Sequence, residues 1–246
     1  MIPARARAQL AGVVIVIASI VAFGLALGFH RSAPEPLPPR PASQRPTLLL
    51  LTSLPLVFGE NFSVEQIGSP ALKALESRYG VEPISVADPP ELAKARLLLM
   101  AHPLAQPAED LVALDEWVRR GGRVLLLADP RLEWPSERPL GDPLRPPPMF
   151  MDTGLLAHWG LRLDAPDRPG VKKKELGGYE VVTQSPGELS GRCAISPDRL
   201  VARCAVGKGR AIVVADADFL DAERLGPGAG HNLDGLLKEL AELEHP

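Results

Sequence analysis

The hydrophobic pattern begins with an apolar run over residues 10–29 that contains no charged residue. A helix over this run spans roughly 30 Å, which matches the hydrocarbon core of a bilayer. A cleavable signal peptide is the alternative, but its apolar region usually has only about 7–15 residues. The nearest small-residue pair, Gly24 and Ala26, also lies inside the run. We therefore predict an uncleaved, single-pass transmembrane helix at 10–29, preceded by a short tail at 1–9.

The charges that flank this run indicate its orientation. Arg5 and Arg7 precede it in the short tail, whereas Arg31 alone lies close to its other end. Since cytoplasmic flanks carry the excess of positive charge, the tail is predicted to be cytoplasmic. The rest of the chain is then extracytoplasmic, or periplasmic, at the plasma (inner) membrane.

The next segment, residues 30–46, is rich in proline and favours an extended polyproline conformation. We predict that it is a stalk that holds a domain away from the membrane. Residues 47–246 remain, a length that suits one ordinary domain or one domain with an insertion.

Within that domain, continuous apolar runs alternate with segments of helical periodicity. This alternation predicts an α/β fold with a mainly parallel sheet flanked by helices. The predicted strands are 47–52, 82–87, 96–101, 123–128 and 211–215, with a further strand at 179–183 and a β-hairpin at 192–205. Helices are predicted from Pro70 to Gly80, from Pro107 to Gly121, around Leu155, Leu156 and Trp159, and from Asn232 as the N-cap.

The hairpin contains the two cysteines of the chain, Cys193 and Cys204. If Ser196 pairs with Val201, the two cysteines face each other near disulfide range. A register shift by one residue would separate them and leave two small buried hydrophobic side chains. Both alternatives remain open at this point.

Composition excludes one class of partner. The net charge is −3, the pI is near 6.0 and aromatic residues make up 4% of the chain. These values do not fit a nucleic-acid-binding protein. The single basic run, Lys172 to Lys174, is predicted to be a solvated loop.

Candidate chemistry lies where the predicted parallel strands end, because ligands collect at the carboxyl ends of such a sheet. A cation held by Asp129, Asp216 and Asp218 is one interpretation, and helix capping or turn formation by the same residues is the other. His102 stands before a proline without a second metal-ligating residue nearby, so it is interpreted as a loop histidine. The other polar residues at these ends are Thr52 and Ser53.

Three segments carry a resemblance to a known family. They are residues 114–129 (LDEWVRRGGRVLLLAD), 154–161 (GLLAHWGL) and 207–220 (GKGRAIVVADADFL), followed by Asn232. In this order they resemble the extracytoplasmic domain of gliding-motility-type ABC transporter auxiliary proteins. The resemblance implies a glutamine-amidotransferase-like α/β fold without catalysis, without a cofactor, and with partners such as an ABC permease and ATPase.

The same comparison argues against an amidotransferase. Those enzymes place a nucleophilic Cys on the turn after a central strand, and the corresponding turns here, 100–103 and 128–130, contain neither cysteine nor hydroxyl. We therefore expect a membrane-anchored, non-catalytic accessory protein. The alternative is a metal-dependent hydrolase that uses Asp129, Asp216 and Asp218. A third hypothesis assigns partner binding to the proline-rich loop at 129–149, which contains seven prolines.

Overall fold

The computed structural model describes residues 33–59 and 68–245 of the chain. The predicted tail at 1–9 and the predicted transmembrane helix at 10–29 lie outside these residues. Within the described ranges, none of the helices has the length and apolar character needed to cross a bilayer. The described residues from Glu35 onward belong to one compact unit.

A seven-stranded sheet forms the centre of the unit. Its strands are β1 Thr47–Thr52, β2 Gly80–Ile84, β3 Leu97–Ala101, β4 Arg123–Leu127, β9 Ala194–Ile195, β10 Val201–Val206 and β11 Gly209–Val214. Their order across the sheet is β2-β1-β3-β4-β11-β10-β9. The first five of these strands are parallel, and β10 and β9 continue the sheet in antiparallel pairing. The predicted α/β class with a mainly parallel sheet is confirmed.

Two smaller antiparallel sheets, six α-helices and three short 3₁₀ helices complete the described part of the unit. One small sheet pairs β5 (Leu161–Asp164) with β8 (Glu188–Gly191), and the other pairs β6 (Val171–Leu176) with β7 (Tyr179–Gln184). The helices are α1 Pro70–Glu76, α2 Pro89–Leu92, α3 Ala108–Arg119, α4 Leu155–His158, α5 Ala222–Leu225 and α6 Asn232–Glu244.

The sheet is buried on both faces, which explains why its strands read as continuous apolar runs. Alternate residues of a strand point to opposite faces, so Leu48 and Leu50 belong to the buried cluster that contains the apolar side chains of α1 and α6. Leu49 and Leu51 pack on the other side, where α3 and α4 lie. All four leucines are buried.

Helix boundaries follow the predicted signals at most positions. The Ser69 side chain accepts a hydrogen bond from the backbone N–H of Leu72 and thereby caps α1. The predicted end of this helix at Gly80 is wrong, because α1 ends at Glu76 and Gly80 begins β2. At the end of α3, a Cβ on Gly122 would lie 2.3 Å from the Trp117 ring, so only glycine fits there.

Two further predictions are wrong. The basic run Lys172 to Lys174 is part of strand β6 and not a loop. Asn232 is the first residue of α6, but its side chain does not cap the helix. Its amide instead accepts from the backbone N–H of Val182 and donates to the carbonyls of Val182 and Phe219.

The second part of the predicted stalk also differs from the prediction. Leu37 packs against the hydrophobic core. Arg40 forms an ion pair with Glu244 at 2.8 Å and lies over the ring of Tyr79. Arg78, which is buried, donates to the carbonyl of Pro38. Residues 35–46 therefore pack against the domain as part of it, because Leu37, Arg40 and the carbonyl of Pro38 all find partners on the domain.

Cys193 and Cys204 are joined by a disulfide, with their Cα atoms 4.8 Å apart. The strand register that allows it pairs Ala194 with Arg203, and Ser196 donates its backbone N–H to Val201. The disulfide joins the residue that precedes β9 to β10, at the antiparallel end of the central sheet.

Replacement of both cysteines by alanine should lower the free energy of unfolding by about 2–3 kcal/mol, because the bond closes a short loop in the unfolded chain. Urea denaturation of the double variant measures this loss. Wild-type protein in a reducing buffer is the matched control and should lose the same amount. Equal stability of oxidised and reduced wild-type protein would contradict the prediction.

Candidate functional site

The polar residues predicted from the ends of the parallel strands lie at the carboxyl edge of the central sheet. At this edge β1, β3, β4 and β11 end. Thr52 donates its hydroxyl to the carbonyl of Ala101 at 2.8 Å and accepts from the backbone N–H of Leu54. Ser53 donates its hydroxyl to the carbonyl of His102 at 2.5 Å. Both hydroxyls therefore connect the end of β1 to the end of β3.

His102 follows β3 with a backbone φ of 47°, in the left-handed region that few non-glycine residues occupy. Its ring is fully buried, and its Nε2 lies 2.9 Å from the carbonyl of Pro147. Burial lowers the pKa of this histidine to about 4, although the carbonyl of Pro147 opposes the shift. At neutral pH the ring is uncharged and donates to Pro147, which ties the end of β3 to the proline-rich loop.

Asp129, Asp216 and Asp218 form the acidic cluster at this edge. Each contributes a carboxylate oxygen, and these atoms lie within 4.8 Å of one another. All three side chains are fully buried. They meet because β4 and β11 are adjacent parallel strands, so the residues that follow them emerge side by side.

Each carboxylate of the cluster accepts hydrogen bonds from the surrounding backbone. Asp129 accepts from the N–H groups of Arg131 and Ala217. Asp218 accepts from the N–H of Glu133 at 2.8 Å. These bonds fix the start of the proline-rich loop against the end of β11.

The Asp216 carboxylate accepts hydrogen bonds from the described residues at only one of its two oxygens. One of its oxygens, Oδ2, accepts from the Thr183 hydroxyl at 2.5 Å and from the backbone N–H of Phe219 at 3.1 Å. The other oxygen, Oδ1, is buried and has no hydrogen-bond partner among the described residues.

The electrostatics of the cluster follow from burial and mutual repulsion. Burial raises the pKa of Asp129, Asp216 and Asp218, and the charge of Asp129 raises the pKa of the other two further. Arg224 lies 3.4 Å from Asp218 and opposes the shift there. The cluster therefore takes up protons more readily than exposed carboxylates do.

The proline-rich loop (residues 129–149) contains no helix or strand. Its roots are fixed: the N–H of Phe150 donates to the carbonyl of Asp129, and Leu132 and Trp134 pack against the core. Its tip is exposed and apolar, with Leu140 at 86% and Leu144 at 58% exposure.

A cleft of about 370 Å³ lies between the end of β1 and the tip of this loop. Leu144 and Arg138 of the loop line one part of it, and Phe58, Thr52 and Ser53 line another. Phe58 is 69% exposed. The cleft therefore combines an apolar wall with two hydroxyls that are already hydrogen-bonded.

Several residues around the cluster carry no sequence signal that would predict their position. Thr183 lies on β7, and its hydroxyl reaches Asp216 from a separate sheet. Glu133 accepts from the Ser185 hydroxyl, and this bond lowers the pKa of Glu133. Both contacts join segments distant in sequence, and only the folded arrangement of the loop shows them.

Comparison with solved structures gives distant likenesses. A cytoplasmic protein of Salmonella typhimurium is 12% identical, with a TM-score of 0.48 over 80% of this chain and 98% of that one. An exo-β-1,4-mannosidase from Opitutaceae bacterium strain TAV5 is 14% identical, with a TM-score of 0.46 over 82% of this chain. This chain covers only 36% of that mannosidase and 30% of a β-galactosidase that also matches. Likenesses this distant carry no argument about activity.

A search of curated proteins finds no match. A family model described as an ABC-type uncharacterized transport system matches residues 45–189. The match begins just before β1 and ends in β8, so it includes Asp129, His102 and the proline-rich loop. It confirms the resemblance to ABC transporter auxiliary proteins, and the chain belongs to this family of ABC-type transport systems.

Proposed function

We propose that this protein is a membrane-tethered, non-catalytic accessory component of an ABC-type transport system, and that the carboxyl edge of its sheet binds a protein partner. The family match over residues 45–189 supports the transport role. The observation that carries the binding role is the position of the exposed apolar side chains.

Large exposed hydrophobic side chains concentrate in the loops that follow β1, β3 and β4. Among the described residues, those outside these loops are Val112 and Val171. Exposed apolar surface of this kind marks interaction sites, and methionine and aromatic residues are enriched at their centres. The exposed side chains in the loops are Phe58, Leu104, Leu140, Leu144, Met149 and Met151.

A non-catalytic role is supported by how the polar groups at this edge are used. The hydroxyls of Thr52 and Ser53 donate to backbone carbonyls, and the His102 ring donates to Pro147. A nucleophile needs its base within hydrogen-bond reach, and neither hydroxyl is hydrogen-bonded to the His102 ring. The hydrolase alternative is not favoured, because its carboxylates are fully buried.

The membrane tether at 10–29, the cytoplasmic tail at 1–9 and the extracytoplasmic position of residues 47–246 are parts of the same proposal. The uncharged apolar run and its flanking arginines support the tether. The disulfide supports an oxidising compartment for the domain. Protease added to sealed vesicles with the cytoplasmic face outward should leave the domain intact, and its digestion would refute this topology.

The binding role predicts a selective loss of partner capture. Leu144→Glu places a charge in the exposed apolar surface and should reduce recovery of the permease and ATPase, captured from solubilised membranes through a C-terminal tag, by at least about tenfold. Quantitative mass spectrometry of the captured proteins is the measurement.

Val112→Glu is the matched control, because Val112 is also exposed but lies on α3. It should leave capture unchanged. Equal capture by wild type and both variants would refute the binding surface. Deletion of the whole loop is unsuitable, since its roots contribute Leu132, Trp134 and the backbone bonds to the acidic cluster.

A further inference from the structure

The acidic cluster buries three carboxyl groups, and among the described residues one arginine lies within ion-pair distance of them. Asp129, Asp216 and Asp218 are fully buried with carboxylate oxygens within 4.8 Å of one another. Arg224 contacts Asp218 at 3.4 Å, but within the described residues neither Asp129 nor Asp216 forms an ion pair. Buried carboxylates are costly unless they are paired, protonated or bound to a metal ion.

A second observation points to a ligand at this cluster. The Oδ1 atom of Asp216 is buried and accepts no hydrogen bond from the part of the chain that the structure describes, although the other oxygen of the same carboxylate accepts two. The Asp216 carboxylate also contributes an oxygen within 4.8 Å of oxygens of both Asp129 and Asp218. A buried acceptor without a donor needs a partner, and a cation would supply it.

We propose that Asp129, Asp216 and Asp218 bind a hard divalent cation of the Mg²⁺ and Ca²⁺ class. Oxygen-only ligands select this class over softer metals. Because the cluster is fully buried at the root of the proline-rich loop, the cation has a structural role. Asp129 and Asp218 also hold the backbone N–H groups of Arg131 and Glu133, so the cation fixes the loop to the ends of β4 and β11.

The test is a cation titration of the full-length chain in detergent at pH 8, after treatment with EDTA. CaCl₂, MgCl₂ and MnCl₂ are added separately, with NaCl at matched ionic strength as the reference. A cation at a hundred times its Kd should raise the Tm by about 5–10 °C over that reference. If none of the three salts raises the Tm above the NaCl value, the site does not exist.

The variant Asp216→Asn removes the charge that lacks a partner and should abolish this rise. Asp167→Asn removes an exposed carboxylate and should keep the rise in full. An undiminished rise in Asp216→Asn would overturn the assignment of the site.

A direct measurement covers the case in which Asp216→Asn does not fold. Equilibrium dialysis of wild-type protein against each cation, followed by elemental analysis, should give about one bound ion per chain. An ion content equal to that of the dialysis buffer would overturn the proposal. The proposed partner surface is not tested by either measurement, so the two proposals can fail separately.

Discussion

Replacement of Asn232 by alanine should lower the free energy of unfolding by about 3–5 kcal/mol. The Asn232 amide is fully buried and serves three backbone groups, namely the N–H and C=O of Val182 and the C=O of Phe219. Each buried group left without a partner costs about 1–3 kcal/mol. Urea denaturation followed by circular dichroism measures the loss, and Lys238→Ala on the same helix should change stability by less than about 0.5 kcal/mol.

The variant Asn232→Asp distinguishes these hydrogen bonds from a helix-capping role of the side chain. Asp is as good a cap as Asn, so Asn232→Asp would be nearly neutral if the side chain only capped α6. In the structure, the aspartate would lose both donors and place a charge against two carbonyl oxygens, so it should be at least as destabilising as alanine. A neutral Asn232→Asp variant would contradict the observed contacts.

His102 should make the protein less stable in mild acid. Its pKa is about 4 in the folded protein against 6.5 for the unfolded chain. As the pH falls from 6.5 to 4, His102 is protonated in the unfolded state but stays neutral in the folded state. This group therefore contributes stability above pH 6.5 that is lost by pH 4, in total about 3 kcal/mol.

The His102→Gln variant isolates this contribution, because glutamine keeps an N–H donor for Pro147 but does not titrate. The acidic cluster has raised pKa values and acts in the opposite direction, stabilising the folded state as the pH falls. The difference between wild type and variant removes that background, since both contain the cluster. Parallel pH profiles of the two proteins from pH 7 to 4.5 would contradict the assigned burial of His102.

The central sheet could be predicted because its strands are buried on both faces and are bounded by turn residues. The run at 47–52 coincides with β1, and Gly121 and Gly122 mark the boundary between α3 and β4. Strand β6 could not be predicted in this way, because most of its side chains are exposed. Its charged sequence therefore has no apolar alternation.

The position of polar residues at the carboxyl ends of the predicted strands did predict which of them lie close together, because adjacent parallel strands end at the same edge. Asp129 and Asp216 are examples, since β4 pairs with β11 despite their separation in sequence. Strand-end positions could not show that Thr183 and Glu133 reach the same cluster. The hydrogen bonds of Asn232 to β7 could not be predicted from the sequence either. An asparagine at the start of a helix can cap that helix or bond a neighbouring strand, and the sequence is the same in both cases.

The fixed roots of the proline-rich loop have a thermodynamic consequence for any partner that docks on its tip. Proline restricts φ, and the bonds to His102, Asp129 and Asp218 hold the flanking backbone. The proline-rich loop is therefore preorganised, so it loses little conformational entropy when a partner binds. The heat-capacity change of complex formation should then correspond to the apolar area covered, without an added contribution from coupled folding.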